Sequence, residues 1–287
     1  MTSGADGPLE VPQNSTALPG VPPGYSIDAF HHGRFHVLQP EAEGHRAGLD
    51  AMLLAATVPA DAEGSLVDLG AGAGAAGLAV ASRLEGMQIA LVERAPRMIE
   101  CARMTIAHPL NARFAPRVRV IEADVTLRGE ARCAAGLADR AFDHVIMNPP
   151  FNSARDRTTP DELKAQAHAM DTPDLFEEWL RTASAILKPS GQISLIARPE
   201  SLADILAALE GRFGGIEITA VCPRADDDAI RILFTAVKGS RARLLLRDRI
   251  VIHEGPGRDF SPLTDDLVNG RRDWPRRRRQ SAQKRTK

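Results

Sequence analysis

Five consecutive residues, Met147-Asn148-Pro149-Pro150-Phe151, hold the groups best suited to do chemistry. They close an apolar run, Phe142-Asp143-His144-Val145-Ile146, that reads as a strand. In an open α/β sheet the carboxyl ends of the strands are where ligands bind. Two prolines in series remove two backbone donors and hold φ near about −65° at both positions. The carbonyls of Asn148 and Pro149 are thereby kept out of a helix ladder and stay free to accept hydrogen bonds. Together with the Asn148 side-chain oxygen they form a converging set of acceptors, and Phe151 supplies a flat apolar wall beside it. That arrangement suits a planar amide or an aromatic amine, whose N–H groups need acceptors and whose ring needs a stacking face.

A second constellation lies upstream, in Val67-Asp68-Leu69-Gly70-Ala71-Gly72-Ala73-Gly74-Ala75-Ala76-Gly77. Glycines between a strand and a helix let the backbone turn sharply and approach a ligand closely. Gly72-x-Gly74-x-x-Gly77 satisfies a dinucleotide fingerprint, which would set a pyrophosphate on the helix N-terminus. Asp68-x-Gly70-x-Gly72 instead resembles the first motif of class I methyltransferases. A carboxylate at the strand tip suits the cationic methionine end of S-adenosylmethionine (SAM) and opposes a pyrophosphate, so charge favours SAM over NAD. Glu93, some twenty residues on, sits where a carboxylate accepts ribose hydroxyls in either cofactor class. Asp124, in Glu122-Ala123-Asp124-Val125, falls just past the next strand, where class I methyltransferases place an acid that accepts the cofactor's adenine amino group.

These residues need a scaffold that brings strand ends together. From Ser65 to Val237 short β-like apolar runs alternate with helix-period stretches, the pattern of a parallel sheet covered by helices on both faces. The predicted strands are Ser65–Leu69, Gln88–Glu93, Arg117–Glu122, Ala141–Met147, Gln192–Ala197, Ile216–Cys222 and Ile230–Val237. The predicted helices are Asp50–Ala56, with Asp50 as its N-cap, Ala75–Leu84, Pro96–Ala107, Thr172–Leu187 and Ser201–Leu209. The fold class is therefore α/β, a Rossmann-like, mostly parallel seven-stranded sheet. Residues 1–24 read as a disordered arm, 25–255 as the catalytic domain and 256–287 as a tail. Within the domain, 25–60 is an opening segment, 65–238 the core and 243–253 an added hairpin around Asp248.

The chain has 287 residues, 44% hydrophobic and 25% charged, enough for one large core. Its net charge of −1 conceals an asymmetry: residues 271–287 carry nine Arg or Lys against Asp273, so that segment is +8 and the rest −9. Basic runs of this kind often touch nucleic acid. The polar, Pro- and Gly-rich start lacks a signal peptide's apolar region, and a cytoplasmic location is expected. Cys101, Cys133 and Cys222 form no CxxC pair and read as buried thiols. His31, His32 and His36 have no further ligand cluster around them, so no metal is expected. Met98 is assigned to the core.

Asn-Pro-Pro-aromatic at a strand end resembles the signature of SAM-dependent methyltransferases acting on planar nitrogens: N6 of adenine, N2 of guanine, or a glutamine amide. The flanks narrow the likeness. Gln39-Pro40 with His45-Arg46-Ala47-Gly48-Leu49-Asp50-Ala51-Met52-Leu53-Leu54, and Asp248-Arg249-Ile250-Val251-Ile252-His253 with Phe260-Ser261-Pro262-Leu263, are similar to the family that methylates an anticodon-loop adenine of a valine tRNA at N6. The resemblance implies a SAM-dependent N-methyltransferase with an RNA partner and no membrane. It gives Gly70, Gly72 and Gly74, with Asp68, to the SAM loop, Glu93 to the ribose and Asp124 to the cofactor's adenine. It gives Asn148, Pro149 and Phe151 to the target base, with Asp50 near the cofactor's methionine part. Arg276, Arg277, Arg278 and Arg279, with the 243–253 hairpin, would contact phosphates. Phe151 stands where that family more often has Tyr and occurs also in ribosomal RNA guanine-N2 enzymes, so guanine N2 remains open, as does a protein glutamine.

Overall fold

A computed structural model describes residues 21–41, 48–150 and 174–276. Phe151, His45, Arg46 and Arg277–Arg279 lie outside the described residues, as do Thr172 and Pro173.

The predicted alternation becomes one twisted sheet. Strands β3 (Gly64–Leu69), β4 (Met87–Glu93), β5 (Val118–Glu122), β6 (Phe142–Met147) and β7 (Leu187–Ala197) run parallel, and β8 (Phe213–Cys222) and β9 (Arg231–Lys238) complete the seven. In space the order is β8-β9-β7-β6-β3-β4-β5, with β9 antiparallel to both neighbours. The chain leaves β3 toward β4 and β5 on one side and returns to β6 and β7 on the other. That reversal makes the carboxyl ends of β3 and β6 a topological switch point, where open α/β sheets form their ligand crevice.

Residues on alternate sides of each strand feed two separate cores, as a period of two requires. Leu66, Ile89, Leu91 and Ile146 pack with helices α1 (Leu49–Ala56), α2 (Ala75–Arg83) and α3 (Pro96–Ala107). Val67, Leu69, Val92, Val145 and Met147 pack with α5 (Leu175–Ile186) and α6 (Leu202–Leu209) on the other face, and α4 (Gly129–Ala134) precedes Leu137 of that same core. The near-continuous Val, Leu and Ile of these strands is what burial on both faces demands.

The structure departs from the sequence reading in several places. Residues Tyr25–Phe30 and Phe35–Pro40 form an antiparallel hairpin, β1 and β2, around His31-His32-Gly33-Arg34. Stacked Phe30 and Phe35, 5.3 Å between centroids, hold its neck, while His31 donates or accepts at Ser82 Oγ. Pro189-Ser190-Gly191 lies inside β7, which starts at Leu187, ahead of the predicted Gln192, and absorbs the three residues in a bulge opposite Phe142 to His144. Cys133 is exposed, because α4 turns Arg132 inward onto the Leu137 carbonyl instead.

The predicted hairpin around Asp248 does not form. Leu245–Leu246 (β10) and Ile250–Val251 (β11) both lie parallel to β8, not against each other, and one residue is taken up as a bulge between them. The segment is a single broken edge strand. Beyond it the predicted tail is folded as well: Ser261 caps α7 (Pro262–Val268) by accepting from the Thr264 amide, and Pro262 opens its first turn. Residues 273–276 then cross the sheet. Asp273 caps the Ala60 amide at 2.6 Å, the Trp274 indole donates to Thr219 Oγ1 and lies under Arg247, and Arg276 reaches the Gly215 carbonyl and buried Glu217.

Candidate active site

The parallel register sets the geometry. Leu69 pairs with Met147 on one side and Val92 on the other, so Asn148, Gly70 and Glu93 follow in one row at the carboxyl edge of the sheet. At about 4.8 Å per strand, Asn148 and Glu93 flank Gly70 across about 10 Å. One step further along, Glu93 pairs with Glu122, which brings Asp124 to the same rim.

The glycine loop is left-handed at Gly70, Gly72 and Gly74, with φ of 70°, 56° and 94°. At Gly70 a second constraint acts: a Cβ there would lie 2.5 Å from Cη2 of Trp179. That indole, 8% exposed on α5, is the floor of the loop. Gly77 allows α2 to approach the sheet, since a Cβ would meet Leu91 at 2.4 Å. The crevice side is open: among the described residues a Cβ at Gly72 would find only Met98 Cε within 4 Å, at 3.7 Å. Met98 is half-buried and packed against the core, and its Cε forms a side wall of the loop.

Asp68 is 2% exposed and its Oδ2 accepts from the Gly77 amide at 2.9 Å, so it ties strand to helix from beneath the loop and does not face the crevice. Burial pushes its carboxyl up to about 7, against the Gly77 N–H, with the charge of Glu93 adding to the rise. Glu93 accepts from the Gly72 amide with one oxygen and from the Arg94 and Ala95 amides with the other. A carboxylate has about four lone-pair sites, so about one remains for a ligand hydroxyl.

Asp124 forms a turn with Thr126, accepting from its amide and hydroxyl at 2.8 Å each, and its other oxygen receives Arg94 Nη1 at 2.8 Å. Partial burial alone would raise its carboxyl; the Thr126 donors and the Arg94 guanidinium outweigh that and hold it below the ordinary value. Arg94 therefore clamps the tips of β4 and β5 together. The run Glu93-Arg94 was visible in the sequence, but its partner thirty residues away was not.

Asn148 carries the most informative atom. Its Oδ1 is buried and has no hydrogen-bond partner among the described residues. An unsatisfied buried acceptor costs about 1–3 kcal/mol, so the corner is held ready for a donor. Phe151 lies outside the described residues.

Two predicted contacts are corrected. Gly48, not Asp50, is the N-cap of α1; Asp50 lies in the first turn and pairs with Arg231 Nε at 2.8 Å, because β9 begins directly beside the helix start. Arg276 is turned inward: its guanidinium lies on Gly215, Thr235 and Glu217, which leaves it no free fork for a phosphate. A cleft of about 710 Å³, lined by His144, Gln192, Asp273, Pro275 and Arg276 among others, opens at the opposite end of these strands.

A SAM nucleoside fits this site better than a dinucleotide does. Carboxylates line the rim, suited to hydroxyls and an exocyclic amine and repelling a pyrophosphate, and Arg94 at the rim is already paired with Asp124. A family model described as methyltransferase small domain matches residues 46–223. A protein of Shewanella sp. (strain W3-18-1) named tRNA1(Val) (adenine(37)-N6)-methyltransferase is 29% identical over 61% of this chain and 68% of its own length. A protein of the same name from Shewanella woodyi is 28% identical over 84% of this chain and 98% of its own. A crystal structure of a predicted O-methyltransferase from Agrobacterium tumefaciens is 50% identical, with a TM-score of 0.70, and covers 80% of this chain and all of that one.

Proposed function

Since the chain belongs to the methyltransferase small domain family and is a SAM-dependent methyltransferase, we propose that its acceptor is the exocyclic NH2 of an RNA base, N6 of an anticodon-loop adenine in tRNA, modified in the cytoplasm. The orphaned Asn148 Oδ1 carries this reading. A primary amine presents two hydrogens. Oδ1 takes one and the Pro149 carbonyl the other, which leaves the nitrogen lone pair directed across the row toward Gly70. The names of the Shewanella relatives support adenine N6 and tRNA as the target.

Bound SAM supplies an electrophilic methyl group on a sulfonium. The chain's own residues do the rest by positioning. Gly70, Gly72 and Gly74 would let backbone pass close to the cofactor, Glu93 would offer its remaining acceptor site to a ribose hydroxyl, and Asp124 would accept from the adenine amine. Asp68 acts from below by fixing the loop. The acceptor amine is a weak nucleophile because its lone pair is delocalised into the ring. Two acceptors on its hydrogens favour the pyramidal nitrogen, an interaction that strengthens toward the transition state. Phe151 would stack on the base, worth about 1–3 kcal/mol, and an unpaired loop base leaves its stack at least cost.

Arg94 holds Asp124, so Arg94→Ala should weaken SAM binding about two- to five-fold, the scale of an exposed ion pair, with Arg94→Lys recovering part. Calorimetry on the purified variants measures it, and unchanged affinity would remove the pair from the cofactor site. The reading as a whole is tested by incubating the protein with labelled SAM and unmodified tRNA, then digesting to nucleosides for mass spectrometry. N6-methyladenosine is the expected product. N2-methylguanosine would move the target to guanine, and a methylated hydroxyl would favour the chemistry named for the Agrobacterium relative.

A further inference from the structure

We propose that the sheet edge formed by residues 241–251 is a track for an RNA backbone, contacted by Arg241, Arg243 and Arg249; it rests on the RNA reading above and names a surface for it.

Two sets of cations stand out in the carboxyl-terminal region. Arg247 and Arg276 both converge on Glu217, which is 3% exposed, at 3.4 Å and 3.8 Å. Arg271 takes Asp265 and Asp266, and Arg224 lies on the carbonyls of Gly255, Pro256 and Gly257. These are structural. Arg241, Arg243 and Arg249 are exposed and make no ion pair among the described residues, while Asp248, the acid within the run, already has a partner.

The fold arranges the free set along one line. After β9 the chain turns at Gly239, the Ala242 carbonyl receives the Gly215 amide at 2.7 Å, and the segment climbs beside β8 until Val251 pairs with Cys222 at the carboxyl end. The three arginines therefore rise from the base of the sheet to the level of the crevice. Along the outer side no further strand is paired among the described residues, so backbone amides there add donors for phosphate oxygens.

Position favours substrate over cofactor. Glycine loop, Glu93 and Asp124 lie on one side of Asn148; the edge lies on the other, beyond β7, β9 and β8. Four strand spacings of about 4.8 Å make about 19 Å, which five or six stacked nucleotides cover at about 3.4 Å each. An RNA whose target base sits at Asn148 can thus lay its flanking backbone on the track.

The rival occupant is a second copy of the chain, since the edge is unpaired and Leu244 and Leu246 are 42% and 76% exposed. Edge-to-edge pairing would set the two arginine runs against each other, and like charges across strands are destabilising. Charge thus favours a polyanion.

The test is fluorescence anisotropy of a labelled, unmodified tRNA transcript titrated with the full chain between about 50 and 200 mM salt. The variant is R241A/R243A/R249A. At low salt it should bind at least about ten-fold more weakly, and its slope of log affinity against log salt should be shallower by about two to three. Melting temperature and SAM affinity stay as in the parent. A parent that binds with salt dependence and a variant with the same slope would overturn the track and leave the RNA substrate standing. A parent that binds no RNA would sink both. Dimers of the parent in light scattering that the variant turns to monomers would give the edge to self-association.

Discussion

Asn148→Ala should abolish most methyl transfer, lowering kcat by about 10²–10³-fold, the cost of removing one preorganised acceptor or donor from a transition state. SAM affinity should change little, because Asn148 stands across Gly70 from Glu93, on the acceptor's side of the row. Stability should hold or rise: truncation removes a buried acceptor without a partner among the described residues, and losing such an atom relieves about 1–3 kcal/mol of desolvation against the loss of side-chain packing. A split of this kind, with turnover collapsed and both binding and melting preserved, identifies a group that acts on the reacting amine. Asn148→Asp tests the polarity of the corner, since a carboxylate still accepts but brings a charge whose burial is costly. Normal turnover in the alanine variant would end the proposed chemistry.

Gly70→Ala should fail at the cofactor and in stability together. The residue would be forced to φ of +70°, a left-handed conformation that costs about 1–2 kcal/mol with a Cβ. Its methyl would also enter the Trp179 ring, 2.5 Å from Cη2, and overpacking against a buried ring adds about 1–3 kcal/mol. A loss near 3 kcal/mol lowers Tm by roughly 6–12 °C for a domain of this size, and SAM binding should weaken more than about ten-fold as the loop shifts. Gly255→Ala is the control: φ there is +77° with no atom of the described residues within 4 Å of the new methyl, so only the conformational cost of about 1–2 kcal/mol applies and SAM binding is kept. Gly70→Ala combined with Trp179→Leu should recover part of the stability and little of the affinity. Equal melting of the two glycine variants would mean the indole yields, and Trp179 would then not shape the loop.

The sheet was legible because its information is local. Each core strand is a short apolar run bounded by turn residues, and the predicted bounds of β3 to β6 differ from the observed ones by one residue at most. The same locality placed Gly70, Glu93 and Asn148 at strand ends, where register alone aligns them. Whatever depended on distant partners was hidden. Nothing near position 50 announces Arg231, nothing near 94 announces Asp124, and nothing near 70 announces the indole at 179. The Asp248 segment misled for a physical reason: two apolar runs about a polar turn are the pattern of a hairpin, and only the open edge of β8 decides that both runs pair with it instead. Composition misled at Arg276, since a basic run reads as solvated until a buried Glu217 is found to need it.

Glu217 gives the far end of the chain a role in holding the sheet closed. An anion enclosed that deeply needs two guanidiniums, one from beside β10 and one from beyond the end of α7. Shortening the protein before Asp273 would strip away one of those cations, unstack the other and uncap the turn at Ala60. The result would be a loosened flank and a chain more prone to clump than to shed a harmless appendage.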